Sequence, residues 1–524
     1  MWKYLRYMEF MSIRSIISNR EYSLYIYMKL FNIGGRKTVK KEKTFFGQPR
    51  GLSTLFFTEM WERFSYYGMR AILIYYIYDS VANGGLGYSK SLAASIMAIY
   101  GSMVYMSSVI GGWLSDRVLG SRKTIFYGGI LIMIGHIILA TPFGAPALFA
   151  SIAIIVLGTG MLKPNVSEIV GGLYHKNDLR RDSGFSIFVM GINIGSFLAP
   201  IILGAAQKEY NYHVGFSIAA FGMLAGLIQY YFQGKKYLGT VGLEPTNPIS
   251  ETEKSAVYKN LIKGIGLLAI VILGAALLGK LTIEFVIFLL SILGVALPVY
   301  YFTKMIRSKD VNDMERSRIW AYIPLFIASI FFWSIEEQGS VVLAIYADER
   351  TNLDFMGFHL IPSWFQSLNP LFVILMSTMF AWLWTKLGER QPSTTIKFSI
   401  GIVFAGLSFV ILVIPALLNG VDTLVSPWWL VLSFFLVIVG EMCLSPVGLS
   451  ATTKLAPRAF QSQMMSVWFL GDAAAQAINA QIVSLYSPEN EVMYFAIVGG
   501  FTIAVGLLLS LMNSKIKTLM QGLN

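Results

Sequence analysis

A single cysteine, Cys443, in 524 residues has nothing to pair with, so a disulfide-stapled secreted scaffold is excluded. Four histidines and that one thiol are too few for a His/Cys metal centre, and the 24 methionines are scattered rather than clustered. No metal and no cofactor is expected. Charge is scarce as well: Asp, Glu, Lys and Arg make up 13% of the chain, about half the ~25% usual in soluble domains. Apolar residues fill the space, at 55%, with 36 Phe, 27 Tyr and 11 Trp that a soluble surface could not hide. The length alone would suggest about three or four soluble domains. The composition instead specifies a polytopic membrane protein, with the lipid bilayer as its first partner.

Fourteen apolar stretches are long enough for a hydrocarbon core of ~30 Å. They are 52–78, 91–114, 123–141, 146–170, 184–205, 214–233, 258–279, 282–303, 318–346, 361–386, 394–417, 427–453, 460–486 and 491–514. Breakers such as Asn83-Gly84-Gly85 and Ser487-Pro488 separate them. When the connectors are alternated between the two sides, 33 Lys and Arg residues fall on one side and four (Lys90, Lys208, Lys280, Arg350) on the other. That asymmetry places both termini in the cytoplasm. It also accounts for the net charge of +12 by topology, so nucleic acid is not a partner. The chain divides into a basic cytoplasmic tail (1–43), a six-helix bundle (44–233), a linker with an inserted helical hairpin (234–317, spans 258–279 and 282–303), a second six-helix bundle (318–514) and a cytoplasmic C-terminus (515–524). The tail has no apolar run compact enough for a signal peptide, and Met28 is an alternative translation start.

Ionisable side chains inside spans cost at least ~2.5–3.5 kcal/mol each on the mildest scale, so their presence marks function. Span one reads Glu59-Met-Trp-Glu62-Arg63-Phe-Ser-Tyr66-Tyr67-Gly68-Met-Arg70. Steps of three and four residues put its charges and phenols on one broad helix face, which must meet water or protein. At a rise of ~1.5 Å per residue, Glu59 lies about 10 Å from the cytoplasmic end, Glu62 and Arg63 about 15 Å, and Arg70 about 27 Å. Such a stripe suits a proton and substrate pathway better than a static ion-pair network. Span four carries Gly158-Thr-Gly160-Met-Leu-Lys163-Pro164-Asn165. A phosphate-binding loop needs Gly-Lys-Ser/Thr after a strand; here proline follows the lysine inside a membrane helix. The glycines allow close helix approach and the proline a kink. Acids recur at Glu336-Glu337 in span nine, Glu441 in span twelve and Asp472 in span thirteen. Depth arithmetic matches Lys163 to Glu441 near or below the midplane and Arg70 to Glu337 above it, each a cation–anion pair joining the first half to the second. His136 is expected to be a satisfied packing residue.

Glu59-x-x-Glu62-Arg63-Phe64-x-Tyr66-Tyr67-Gly68 matches the first-helix signature of the proton-dependent oligopeptide transporter family of the major facilitator superfamily. Gly112-Trp-Leu-Ser-Asp116-Arg117-Val-Leu-Gly120-Ser-Arg122-Lys123 looks like the superfamily's loop between helices two and three. Lys163-Pro164-Asn165, Glu337-Gln338, Asn369-Pro370, Glu441 and Trp468-Phe-Leu resemble later family positions, and the resemblance covers about 50–514. Spans seven and eight then resemble the extra hairpin of bacterial members. Asp472 departs from the family, where a small or neutral residue is expected.

The resemblance implies a major facilitator fold and proton-coupled symport of di- and tripeptides into the cell by alternating access. It implies a multi-pass protein of the plasma membrane, functional as a monomer and driven by the proton gradient. A zwitterionic peptide has fixed charges at its ends and variable side chains, so a promiscuous site should clamp the ends. Arg63 and Lys163 would take the carboxylate; Glu441, Asn193 and Asn369 would take the amine. Tyr66, Tyr67, Tyr105, Trp333 and Trp468 would form amphipathic walls. Glu59 or Glu62, once protonated, would free Arg63 for substrate, with Glu337 also in the proton path. Arg70–Glu337 and Lys163–Glu441 would be the gating pairs. The alternative is a proton antiporter of the same superfamily for drugs or other small organic substrates. An enzyme would need a nucleophile–base set or metal ligands within reach, and none is evident.

Overall fold

The computed structural model describes residues 44–175, 178, 180–355 and 357–523; the basic tail expected at 1–43 lies outside the described residues. Residues 44–50 belong to a short unit of their own. There Phe45 and Gln48 exchange backbone hydrogen bonds around a turn at Phe46 and Gly47.

From Gly51 the chain is almost entirely helical. The long helices are α1 (Gly51–Tyr78), α2 (Lys90–Leu114), α3 (Ser121–Leu139), α4 (Ala145–Gly172), α5 (Arg181–Glu209), α6 (Tyr212–Tyr237) and α7 (Glu251–Leu277). They continue as α8 (Ile283–Arg307), α9 (Asp313–Glu336), α10 (Leu368–Leu387), α11 (Thr394–Val410), α12 (Trp428–Leu455), α13 (Gln461–Ile482) and α14 (Glu491–Leu511). Twelve of them, some with short helical extensions, are long and apolar enough to cross a membrane. The other two, α1 and α13, are 28 and 22 residues long and carry the charged and amide residues that lower their hydropathy. Among the described residues, the architecture is an all-α polytopic bundle with fourteen long helices where fourteen spans were expected. Helix starts follow the sequence: Ser89 and Ser393 accept from the first-turn amides of α2 and α11, and Ser250–Glu253 and Asn312–Glu315 form capping boxes for α7 and α9.

Within α1–α6, α1 packs on α5 and α6, and α4 on α2 and α3. Within α9–α14, α11 packs on α12 and α14, and α9 on α13. The two groups meet where α2 lies against α13 and α5 against α10. The close approach of α4 depends on glycine: a Cβ at Gly158 would meet the Gly128 carbonyl of α3 at 2.6 Å, and one at Gly160 would overlap Ser107 of α2. Asn165 adds a 2.6 Å bond from its amide to the Met161 carbonyl, beside the backbone donor that Pro164 removes. In the inserted hairpin, α8 packs along the α2–α13 seam, whereas α7 is exposed over most of its length. The linker before α7 is strapped to the α2–α3 turn by Arg122 N–H to Gly242 O (2.9 Å) and Asn247 N–H to Asp116 O (2.9 Å), and Arg117 pairs with Glu253 at 2.7 Å.

At the end opposite the basic connectors, called here the far end, a buried ion pair closes the last helices. Arg350 grips Glu491 with two bonds of 2.8 Å and donates to the carbonyls of Gly420 and Thr423. Two short antiparallel strands, Asp354–Phe355 and Phe358–His359, lie in the same region. His136 is fully buried as a packing residue. Contrary to expectation, its ring nitrogens have no hydrogen-bond partner among the described residues.

Candidate functional site

The centre of the bundle is built on α1. Arg63 Nε lies 2.5 Å from Glu62 Oε2 and 3.1 Å from Glu59 Oε1, all three side chains being almost inaccessible to solvent. One turn further, Tyr66 stands between two guanidinium groups, Arg63 at 5.5 Å and Arg70 at 6.0 Å from its ring centre. Arg70 then reaches across to α9, with Nη2 at 2.6 Å from Glu337 Oε2 and 3.3 Å from Gln476 Oε1 of α13. Lys163 lies with Nζ 3.7 Å above the ring centre of Tyr105, a cation–π contact.

Glu59, Arg63, Lys163, Arg70 and Glu337 line two cavities that meet at Tyr67, Tyr105 and Ile192. The one nearer the basic end has a volume of about 390 Å³ and is lined by Glu59, Arg63, Lys163, Ser167, Ser466 and Phe469 among others. The one nearer the far end has a volume of about 300 Å³ and contains Arg70, Asn193, Trp333, Glu336, Glu337, Asn369 and Glu441. The first offers two cations against one carboxylate, Glu59; the second offers three carboxylates against one cation. Both fall within or near the range of small-molecule sites, ~300–1,000 Å³.

Several expected site residues sit elsewhere. Trp468 lines neither cavity: it is 3% exposed, its ring fills the gap left by Gly448 of α12, and it stands edge-on to Phe398. Its neighbours Met465, Ser466 and Phe469 face the cavity instead. Tyr66 is a buried spacer between arginines rather than a wall. Lys163 and Glu441 are not paired in this conformation, because they line different cavities. Depth along the membrane normal matched them, but depth does not fix the direction in which a helix points its side chain.

Two residues without an assigned role enter the site. Glu336 lines the far cavity and accepts a 2.7 Å bond from the Asn369 amide. Adjacent residues on an α-helix diverge by about 100°. Here α9 passes into a 3₁₀ turn at Glu337–Ser340, and both glutamates face inward. The pair Glu336-Glu337 was visible in the sequence; the unwinding that makes both useful was not. Gln476 is the second, held between Arg70 and Asp472, to which its amide donates at 2.8 Å.

Hydrogen bonds between the two helix groups cluster from the centre to the far end. Besides Arg70–Glu337, they include Ser102 to Ala473 O (2.7 Å), Tyr75 to Ala344 O (3.1 Å), Tyr78 to Asp348 (2.5 Å) and Ser367 to Phe197 O (2.8 Å). Lys90 pairs with Glu349 at the rim.

Residues 122–498 match the model of the POT family. The "uncharacterized transporter YclF" of Bacillus subtilis (strain 168) is 58% identical, over 92% of this chain and 97% of that one. A "di-/tripeptide transporter" of Lactococcus lactis subsp. cremoris is 50% identical, over 92% and 98%. The crystal structure of "peptide transporter POT in complex with sulfate" superposes with a TM-score of 0.89 at 56% identity, over 92% and 98% of the two chains. A major facilitator architecture, a paired-charge centre and these similarities agree: the chain belongs to the POT family.

Proposed function

We propose that the chain carries di- and tripeptides into the cell together with protons, by alternating access, as a plasma-membrane protein with both termini cytoplasmic. The observation that carries this reading is the pair of joined cavities of opposite charge. A short peptide bridging them puts its carboxylate beside Arg63 and Lys163 and its amine beside Glu336, Glu337 and Glu441. The tyrosine waist tolerates different side chains, because aromatic walls offer area without demanding one shape. The di-/tripeptide transporter of L. lactis, at 50% identity, supports the substrate class.

With the basic end in the cytoplasm, cross-group bonds concentrated at the far end correspond to an inward-facing state. Opening to the outside then requires Arg70–Glu337 and its outer neighbours to part. Two bundles, α1–α6 and α9–α14, move against each other, and the monomer contains a complete pathway. The α1 carboxylates supply the coupling: a proton on Glu59 or Glu62 releases Arg63 from ion-pair contacts of 2.5–3.1 Å and makes it available to substrate.

The test is uptake of labelled dipeptide into proteoliposomes. Accumulation should be uphill, collapse with a protonophore and persist when sodium is replaced. One charge moved through ~130 mV supplies ~3 kcal/mol, enough for a gradient of about a hundredfold. Sodium-dependent uptake that ignores the protonophore would refute proton coupling. Failure of dipeptides to compete with another substrate would favour a drug antiporter.

A further inference from the structure

We propose that Gln476 is a positioning residue of the outer closure: from a notch in α2 it holds Arg70 in register with Glu337, and Asp472 sets which way its carboxamide faces. The contacts stand by themselves; their effect on closure rests on the alternating-access reading above.

Arg70 crosses from α1 to the second helix group on a single atom. Its Nη2 lies 2.6 Å from Glu337 Oε2 of α9 and 3.3 Å from Gln476 Oε1 of α13, while its Nε has no partner among the described residues. A guanidinium that grips a carboxylate with two nitrogens is fixed in its plane, whereas one held by a single nitrogen can swivel about the contact. The second acceptor, on a different helix, removes that freedom. Closure at Arg70 therefore requires α9 and α13 to stand together, not α9 alone.

The carboxamide is itself held. Gln476 is fully buried, and its Nε2 donates to Oδ1 of Asp472, one turn earlier on α13, at 2.8 Å. Arginine only donates and a carboxylate oxygen accepts, so the amide has one productive orientation, oxygen to Arg70 and nitrogen to Asp472. Its seat is the gap left by Gly101 of α2, where a Cβ would overlap Gln476 Oε1. Beside it, Ser102 Oγ donates to Ala473 O at 2.7 Å, and Gly294 lets α8 close on Ala477 and Ser102. Three helices thus meet at one amide: α2 shapes its seat, Asp472 of α13 orients it, and Arg70 of α1 uses it. Gln476 lines neither cavity, so it acts through Arg70 rather than on substrate.

Gln476→Met keeps length and bulk while removing both amide bonds. Spin labels at Val81→Cys and Leu424→Cys, exposed in far-end connectors, report the ratio of open to closed distances. In Glu337→Gln protein, where Gln476 remains as acceptor for Arg70, adding Gln476→Met should raise that ratio on the order of tenfold. In Arg70→Met protein it should change nothing further. A rise in both backgrounds, or in neither, would overturn the positioning role. Should Gln476→Met fail to fold, Gly101→Ala replaces it, since it evicts the carboxamide, and the same outcomes decide. Asp472→Leu in the Glu337→Gln background should also raise the ratio; no change would overturn the orienting role. Asp472→Asn combined with Gln476→Glu moves the acid one place along and rebuilds each bond. That combination should not exceed the ratio of Glu337→Gln alone, and a rise matching Gln476→Met would overturn the proposal. If Glu337→Gln by itself leaves the distances unaltered, the gate reading fails, and a melting cycle decides the contact. There the losses from Arg70→Met and Gln476→Met should be less than additive, and additive losses would overturn it.

Discussion

On the alternating-access reading proposed above, removing the negative partner of Arg70 should shift the protein from an inward-facing toward an outward-facing form. In the present conformation Arg70 is 4% exposed and its guanidinium lies 2.6 Å from Glu337, with a weaker bond of 3.3 Å to Gln476. Glu337→Gln leaves the guanidinium buried without a counter-ion, at a cost of about 3–5 kcal/mol. That cost applies only while the outer side is closed, because opening lets water reach the arginine. The closed-to-open equilibrium should therefore shift toward open by about two to nearly four orders of magnitude, at ~1.4 kcal/mol per decade. Remaining closure comes from bonds such as Tyr75 to Ala344 and Tyr78 to Asp348. Each contributes about 0.5–1.5 kcal/mol, too little singly to offset the loss. Spin labels at Val81→Cys and Leu424→Cys, exposed sites in far-end connectors of the two groups, report the separation by pulsed dipolar spectroscopy. The native Cys443 is buried. The long-distance population should rise in Glu337→Gln and in Arg70→Gln, and the swap Arg70→Glu with Glu337→Arg should pull it back. A Glu337→Gln variant that melts lower with an unaltered distance distribution would refute the gate and leave a static network.

Glu59→Gln and Glu62→Gln should each lose gradient-driven uptake while retaining peptide exchange, since an amide cannot carry the proton; full proton-driven uptake in both would refute the α1 coupling. Acetylating the peptide amine should raise its half-inhibitory concentration at least tenfold against wild type. Glu441→Gln should narrow the difference, and equal competition by both peptides would show that the amine is not read. Arg350→Met or Glu491→Gln should destabilise the outer end by about 3–5 kcal/mol in a thermal melt, because each leaves a buried charge alone. The double change to Met and Leu should recover only part, since Arg350 also serves two carbonyls; complete recovery would show that those bonds contribute nothing.

The helices were legible because the bilayer imposes one simple condition, an apolar run of fixed length, and α1 and α13, whose charges and amides lower their hydropathy, still have the length. The fourteen expected spans have fourteen long helices as counterparts. Charge placement along the membrane normal was legible for the same reason, and Arg70 and Glu337, placed at one depth, lie 2.6 Å apart. Azimuth was not. It depends on helix rotation, which small residues and local unwinding set: Gly158 and Gly160 on α4, the 3₁₀ turn after Glu336, and Gly448 opposite Trp468. Those features decide that Lys163 faces Tyr105 rather than Glu441, that Glu336 joins Glu337, and that Trp468 turns into the core. An amphipathic side chain suits a core and a cavity wall equally, so residue type alone could not separate them.

The charge inventory of the centre carries the remaining step from structure to mechanism. Glu59, Glu62, Glu336, Glu337, Glu441 and Asp472 stand against Arg63, Arg70 and Lys163, so carboxylates outnumber cations two to one. Each acid sits in a setting where a charge without a counter-charge costs several kcal/mol. A proton relieves that imbalance, and so does a peptide ammonium. In the proposed binding mode the peptide's own carboxylate adds a negative charge, but it would do so beside Arg63 and Lys163, on the other side of the tyrosine waist. A zwitterion thus re-pairs charges in both cavities at once, whereas a peptide lacking one terminal charge leaves one cavity as it was. On the proposed reading, coupling follows from this arrangement: a proton on the α1 carboxylates and a bound peptide would each weaken ion pairs that hold the empty protein in one conformation. Neither needs a separate switch, because both act on the same set of buried charges.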